Sequence, residues 1–318
     1  MGHRRKDAIS WAKERIRMLK RRTDLAAEAA QLWQEEAGTT TRLEGVRARD
    51  SAREGFRVTT VQILNEEGAR ALGKPEGSYV TLELDGLLRR EEGAFPRAAR
   101  ALATELSGLL DLPDGALVLV AGLGNRAITP DRVGPRTAEH IIVTRHLIER
   151  SPEHFGSFRP VSALAAGVLG TTGMESGELI AAVVERLHPA CVIAVDALAA
   201  RSVQRVGRTI QLSDTGIVPG SGVGNARKAL NRETLGIPVI AVGVPTVVDA
   251  ATLTCDVLAE AGRGDLDPEA LGGAGEGLIV TPRDVDAQVE DLAKVIGYGI
   301  DLALQPGLTV EDIDLLVS

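Results

Sequence analysis

Four short apolar runs from residue 115 onward constrain the fold more than any other feature of the chain. Each holds four or five residues, and most are followed by a turn and a helix-forming stretch; the runs are Leu117–Ala121, Val192–Val195, Thr209–Leu212 and Val239–Val242. Parallel strands that helices cover on both faces have such unbroken apolar runs. The sequence therefore predicts an α/β fold, a mostly parallel sheet with helices on both faces. We expect the helices at about 132–150, 176–187, 197–206, 246–262 and 283–303.

The chain before this core has a different pattern. Residues 56–64 and 78–84 alternate like half-exposed strands, and helices are expected at 25–33 and 95–110. The pattern of residues 25–112 thus predicts a small α+β part, whose strands could form a sheet of their own. We divide the rest into an α/β core at 113–262, a Gly- and acid-rich surface loop at 263–278, and a C-terminal helix and tail at 279–318.

The composition excludes several classes of protein. No apolar run reaches the roughly 18–20 residues that span a bilayer, and the basic start lacks the apolar stretch of a signal peptide. Cys191 and Cys255 are the two cysteines, so we expect no disulfide framework and a reducing cytoplasm. These two and five scattered histidines give no zinc spacing, and we predict neither a metal nor a cofactor.

The charge is distributed unevenly. Residues 1–22 contain nine Lys and Arg residues and two acidic ones, whereas the whole chain has a net charge of −8. A basic arm on an acidic body can bind nucleic acid, fold back on the body, or form a solvated helix. Because the acidic body would repel a phosphate backbone, we expect no direct nucleic-acid binding.

An aspartate follows each of the four runs. They are Asp131, Asp196, Asp214 and Asp249. Ligands of parallel sheets bind beyond the carboxyl ends of the strands, so we expect these carboxylates to converge on one edge of the sheet. They could bind a metal, or two of them could share a proton and activate water. The plainer alternative is that each aspartate caps the helix after it.

Two glycine-rich turns also follow strands. Gly122–Asn125 lacks the third glycine of a dinucleotide site, and Gly220–Asn225 lacks the Lys-Ser/Thr ending of a phosphate-binding loop. Ser221 lies in the second turn, but the sequence shows no His and Asp paired with it. A tight turn or a close backbone approach is the plainer use of both segments.

The chain resembles the germination protease family of endospore-forming bacteria along almost its whole length, from about residue 22 to 305. The segments that carry the resemblance are Arg22–Ala26, Leu72–Thr81, Gly122–Asn125, Thr129–Pro135, Thr144–Leu147, Phe158–Ser162, Ala194–Arg201, Ser213–Gly216, Pro219–Asn225, Leu235–Ala251 and Val280–Asp284.

This resemblance implies an aspartic-type endopeptidase, made as a zymogen, that degrades small acid-soluble spore proteins at germination. The family is usually tetrameric and cytoplasmic, in the forespore and spore core. Its two catalytic aspartates correspond to Asp131 and Asp196. The resemblance also implies a phosphorylase/hydrolase-like core similar to that of hydrogenase maturation proteases. The supporting or substrate-binding candidates are then Asn125, Arg201, Asp214, Ser221 and Asp249.

The end of the basic arm resembles a family substrate. Such substrates are cut after an acidic residue, and Thr23-Asp24-Leu25-Ala26 provides that context. We predict self-cleavage between Asp24 and Leu25, which makes residues 1–24 a basic propeptide and 25–318 the peptidase domain. The alternatives are a non-catalytic binder of spore proteins and a metal-dependent maturation-type protease.

Overall fold

The computed structural model describes residues 25–28, 43–200, 202–221, 227–261 and 278–317. Within these ranges, nine strands form one sheet: β1 Val46–Arg53, β2 Phe56–Ile63, β3 Gly77–Glu83, β4 Val118–Leu123, β5 Val161–Gly167, β6 Cys191–Ala200, β7 Thr209–Ser213, β8 Val239–Asp249 and β9 Ile279–Val280. The helices are α1 Glu66–Leu72, α2 Asp85–Leu88, α3 Ala94–Ser107, α4 Val133–Glu139, α5 Arg145–Arg150, α6 Pro152–Phe155, α7 Leu169–Thr172, α8 Ser176–Leu187, α9 Arg232–Leu235, α10 Ala250–Glu260, α11 Val285–Leu304 and α12 Val310–Val317.

The strand order is β1-β2-β3-β7-β8-β6-β4-β5, with β9 paired to β8. Strands β5, β4, β6 and β8 are mutually parallel and form the centre of the sheet. This confirms the α/β fold. The N-terminal strands do not form the sheet of their own that the sequence had left possible, because β3 pairs with β7 and so continues the same sheet.

Helices cover both faces of the parallel centre, as predicted. On one face α3, α4 and α11 pack against alternate strand residues such as Val120 and Ile193. On the other face α8 packs against the residues between them, including Ala121 and Val192. Because every residue of these strand segments meets a covering layer, the segments are apolar without interruption.

Several predicted helix bounds are wrong, and strand pairing explains the largest error. The helix expected at 197–206 is strand as far as Ala200, because Ala197–Ala200 pairs with β8. Alanine and leucine favour helices, but this preference is a weak prior that tertiary pairing overrides. Strand β8 likewise runs to Asp249 before α10 begins. The expected helix at 132–150 is two helices, α4 and α5, whereas α8 has the predicted bounds.

Candidate active site

An open cleft of about 520 Å³ lies where β4 ends. Its walls come from the end of β4 and the turn after it, from the start of α8, from the middle of β6 and β8, and from the segment 218–221. Asp131 and Asp196 both line it. The structure therefore brings together the two aspartates that are distant in sequence and that we had singled out as a pair.

Asp196 forms part of the cleft floor. It lies within β6, opposite Gly243 of β8, and only 5% of its surface is exposed. Its Oδ1 accepts a hydrogen bond of 2.9 Å from the backbone N–H of Ala197. Since β6 continues for four residues beyond it, Asp196 does not cap a helix, and that alternative is wrong for this residue. The neighbouring strand β4 ends at Leu123, and the cleft opens beside Asp196.

Asp131 approaches the same cleft from a turn. It is the last residue of a short 3-10 helix, Thr129–Asp131, which contacts both β6 and β8. Its Oδ2 accepts a hydrogen bond of 2.7 Å from the backbone N–H of Asn125. Burial raises the pKa of the Asp131 carboxyl, and this hydrogen bond opposes that effect only in part. Asp131 therefore keeps its proton to a higher pH than an exposed aspartate does.

Glycines explain why the chain can bring Asp131 back to the strand end. Gly124 has φ of 112°, and a Cβ there would lie 2.0 Å from the carbonyl oxygen of Asp131. A Cβ on Gly134, at the start of α4, would lie 2.3 Å from the carbonyl oxygen of Leu123 and 2.4 Å from that of Val195. Both glycines therefore allow two backbone segments to approach closely. For Gly124 this was the plainer interpretation of the first glycine-rich turn.

The other candidate residues differ in where they lie. Asn125 and Ser221 line the cleft beside the aspartates. Arg201 and Asp24 lie outside the described residues. Leu25 is described and is fully buried, in a cluster with Leu198 of the cleft floor.

Asp214 and Asp249 do not line the cleft. Strand β7 is antiparallel to β8, so its end points away from the edge that holds Asp196. The carboxylate of Asp214 instead accepts the backbone N–H of Ser78 at 2.7 Å. Asp249 caps α10 by accepting the N–H groups of Ala251 and Thr252. The expected convergence of four carboxylates is therefore wrong for these two, and capping is correct for Asp249.

Sequence reasoning missed several residues that line the cleft, among them Glu175, Arg227 and Thr246. Glu175 precedes α8, and its Oε1 forms an ion pair of 2.8 Å with Nη1 of Arg227. Thr246 lies on β8 with 3% of its surface exposed. The position of Glu175 could have been predicted, because it lies at the start of α8, and a helix that follows a parallel strand begins at the edge of the sheet where ligands bind. No pattern in the sequence indicated Thr246.

Two further observations cover the described parts of the chain. No helix there is long and apolar enough to cross a membrane. Within the same ranges, no three His, Cys, Asp or Glu side chains come close enough together to hold a metal ion.

The fold and the cleft define an α/β protein with two aspartates, one buried and one half-buried, at the carboxyl edge of a parallel sheet. Comparison with known sequences identifies the family: the model of the germination protease family matches residues 24–261. The chain belongs to this family, and it is a peptidase.

Germination proteases of several organisms are similar along nearly the whole chain. That of Caldanaerobacter subterraneus subsp. tengcongensis is 44% identical, over 93% of this chain and 98% of its own. Those of Clostridium perfringens and Bacillus licheniformis are 42% and 38% identical, over 93% and 92% of this chain and 99% and 95% of their own. The solved [NiFe] hydrogenase maturation protease HycI of Thermococcus kodakarensis KOD1 covers 62% of this chain and 98% of its own at 16% identity, with a TM-score of 0.33. A TM-score this low carries no argument about fold or chemistry.

Proposed function

We propose that this peptidase is a self-processing, aspartic-type endopeptidase that initiates the degradation of small acid-soluble spore proteins at germination. The observation that carries the proposal is that Asp131 and Asp196 line one cleft. The raised pKa of Asp131 supports an acid–base pair, because one member must hold a proton while the other is ionised.

In this mechanism Asp196 acts as the base and Asp131 as the acid. Asp196 takes a proton from water as the water oxygen bonds to the scissile carbonyl carbon, and Asp131 gives its proton to the carbonyl oxygen. The tetrahedral species then collapses. As the C–N bond breaks, Asp196 gives the proton it took from water to the departing amine nitrogen, and Asp131 takes back the proton of the hydroxyl as the carbonyl re-forms. Asn125 contributes its backbone N–H, which holds the carboxyl of Asp131 in place.

A preference for acidic residues before the cut is supported by the charges of the cleft. Asp131 and Asp196 alone would repel an acidic substrate side chain. Arg227 is the cationic residue among the described residues that line the cleft, and it already pairs with the carboxylate of Glu175. A substrate carboxylate could replace Glu175 as the partner of this guanidinium.

Self-processing between Asp24 and Leu25 is supported by the position of Leu25. Leu25 is fully buried in a cluster with Leu198, which lines the cleft. Leu25 itself therefore lies against the floor of the cleft. A basic propeptide that lay over the aspartates would favour their ionised forms, which removes the proton that the pair must share.

We further propose that the enzyme is a homotetramer in the cytoplasm of the forespore and the spore core, as family resemblance implies. Light scattering of the purified chain tests the assembly. The measured molar mass should be four times the chain mass of 33.5 kDa. A fluorescent fusion imaged during sporulation tests the location.

The central experiment incubates the full-length protein with a purified small acid-soluble spore protein and identifies fragments by mass spectrometry. We expect cuts after acidic residues that disappear in Asp131→Asn and Asp196→Asn. Asp214→Asn is the matched control, because Asp214 also follows a strand but lies outside the cleft, and it should retain activity. Cuts that survive either cleft substitution would disprove the catalytic pair. Bound but intact substrate would favour the non-catalytic binder, and loss of activity with a chelator would favour a metal enzyme.

A further inference from the structure

Thr246 carries a buried hydroxyl that no hydrogen bond explains. Its Oγ1 has no hydrogen-bond partner among the described residues. A buried polar atom of this kind is unfavourable unless another state of the protein satisfies it. Among the described residues with such an atom, Thr246 is the one that lines the cleft.

The position of Thr246 in the sheet is irregular. Along β6 and β8, Leu198 pairs with Pro245 and the next residue, Ala199, pairs with Val247. Thr246 is therefore the extra residue of a bulge. Bulges beside active sites redirect a side chain relative to the regular alternation of the strand. The Thr246 backbone is fixed here, since its carbonyl oxygen accepts a hydrogen bond of 2.9 Å from the hydroxyl of Thr281.

The surroundings of Thr246 are mostly apolar. Beyond Asp196, the floor of the cleft consists of Leu198, Ala199 and Val247, and Ile279 lies beside them. An extended peptide bound on this floor would have backbone N–H and C=O groups that need hydrogen-bond partners, because they lose water on binding. A threonine hydroxyl can donate to a carbonyl or accept from an N–H.

We infer that Thr246 is a substrate-contacting residue, whose hydroxyl hydrogen bonds to the backbone of the bound peptide beyond Asp196 on the cleft floor. The inference rests on the proposed function. It explains why a polar group is retained, without a partner, within an apolar strand. It also gives Thr246 a role separate from that of the aspartates, since the hydroxyl binds the peptide while the carboxyls move protons.

The test compares Thr246→Val with Thr246→Ser in the full-length protein. The probe is a synthetic peptide that copies residues 19–30, and self-cleavage of the chain is a second readout. We expect Thr246→Val to lower kcat/KM by about tenfold, because a peptide group remains unpaired. Thr246→Ser keeps the hydroxyl and should restore most of this loss. Thr81→Val is the matched control, since Thr81 is also a buried strand threonine without a partner but lies outside the cleft.

The stability of the variants separates this inference from a structural role. Removing a hydroxyl that has no partner should leave the unfolding midpoint unchanged or raise it. A lower midpoint for Thr246→Val would show that the hydroxyl has a structural partner, and would overturn the inference. A value of kcat/KM within twofold of the wild type would overturn it too, provided that Asp196→Asn is inactive. If the wild type does not cut the peptide or itself, or if Asp196→Asn stays active, the proposed function fails first and the inference fails with it.

Discussion

Leu25 packs in the same apolar cluster as Leu198, which lies two residues beyond Asp196 on the same face of β6. The following residues are held equally firmly. The backbone N–H of Ala26 donates to Oε1 of Gln211 at 2.7 Å, and Oε1 of Glu28 accepts the N–H of Ser202 at 3.1 Å. Residues 25–28 are thus anchored against β6, β7 and the turn after β6.

This anchoring predicts that Leu25 contributes to stability. Leu25→Ala removes a fully buried side chain and should lower the free energy of unfolding by about 2–5 kcal/mol. Urea denaturation of the wild type and the variant measures this difference in the free energy of unfolding. Leu315→Ala is the control, because Leu315 is 82% exposed and its change should stay within about 0.5 kcal/mol. If Leu25→Ala is as stable as the control, the burial of Leu25 does not anchor the chain.

The sequence was sufficient to predict the parallel centre of the sheet, because burial on both faces requires consecutive apolar residues. It did not predict the direction of β7, since an apolar run such as Thr209–Leu212 is compatible with either orientation. This one error placed Asp214 at the wrong edge of the sheet. The search for polar residues after the apolar runs did select Asp131 and Asp196, although Asp196 lies within its strand and lines the cleft where the neighbouring strand β4 ends.

Other features of the site depend on tertiary structure that no local pattern contains. The bulge at Thr246 exists only through the pairing of β6 with β8. The ion pair of Glu175 with Arg227 joins residues from two separate segments. Such relationships arise when the strands assemble, so the sequence alone could not indicate them.

The Arg227–Glu175 pair predicts a charge effect on specificity. Arg227→Gln should reduce cleavage of a peptide with Asp before the cut by roughly tenfold, about one charged hydrogen bond, and should have less effect when this Asp is changed to Asn. Glu175→Gln should have the opposite effect on the Asp peptide, because it removes the carboxylate that competes for Arg227. Values of kcat/KM for the two peptides measure both. Arg186→Gln, at the exposed far end of α8, is the control, and equal losses for both peptides would contradict a charge-specific role.

Asp301 predicts a pH dependence of stability. It is 1% exposed in α11, and burial raises its pKa well above 3.8, although both carboxylate oxygens accept the N–H of Ile142. The native state therefore holds a proton that the unfolded state has lost above about pH 4, so the free energy of unfolding should fall as pH rises from 3.8 through the raised pKa.

The variant Asp301→Asn should lack this fall, since an amide keeps an acceptor for Ile142 but does not titrate. Urea denaturation at several pH values above 4 compares the slopes. Asp312→Asn is the control, because Asp312 is exposed and its pKa is lowered, so its contribution is lost only at more acid pH. Identical slopes for the wild type and Asp301→Asn would show that Asp301 does not carry the dependence.

The raised pKa of Asp131 predicts where activity is lost. An acid that must hold its proton stops working as pH rises through its pKa, so kcat should fall on the alkaline side. A positive charge in the cleft stabilises the ionised carboxylate and should move this fall to lower pH. Ile128→Lys introduces such a charge, because Ile128 lines the cleft and is 51% exposed. Val203→Lys adds the same charge at a site 44% exposed outside the cleft and should leave the profile in place. A shift in the opposite direction for Ile128→Lys would mean that Asp131 is not the proton donor, and that a basic propeptide does not inhibit by ionising it.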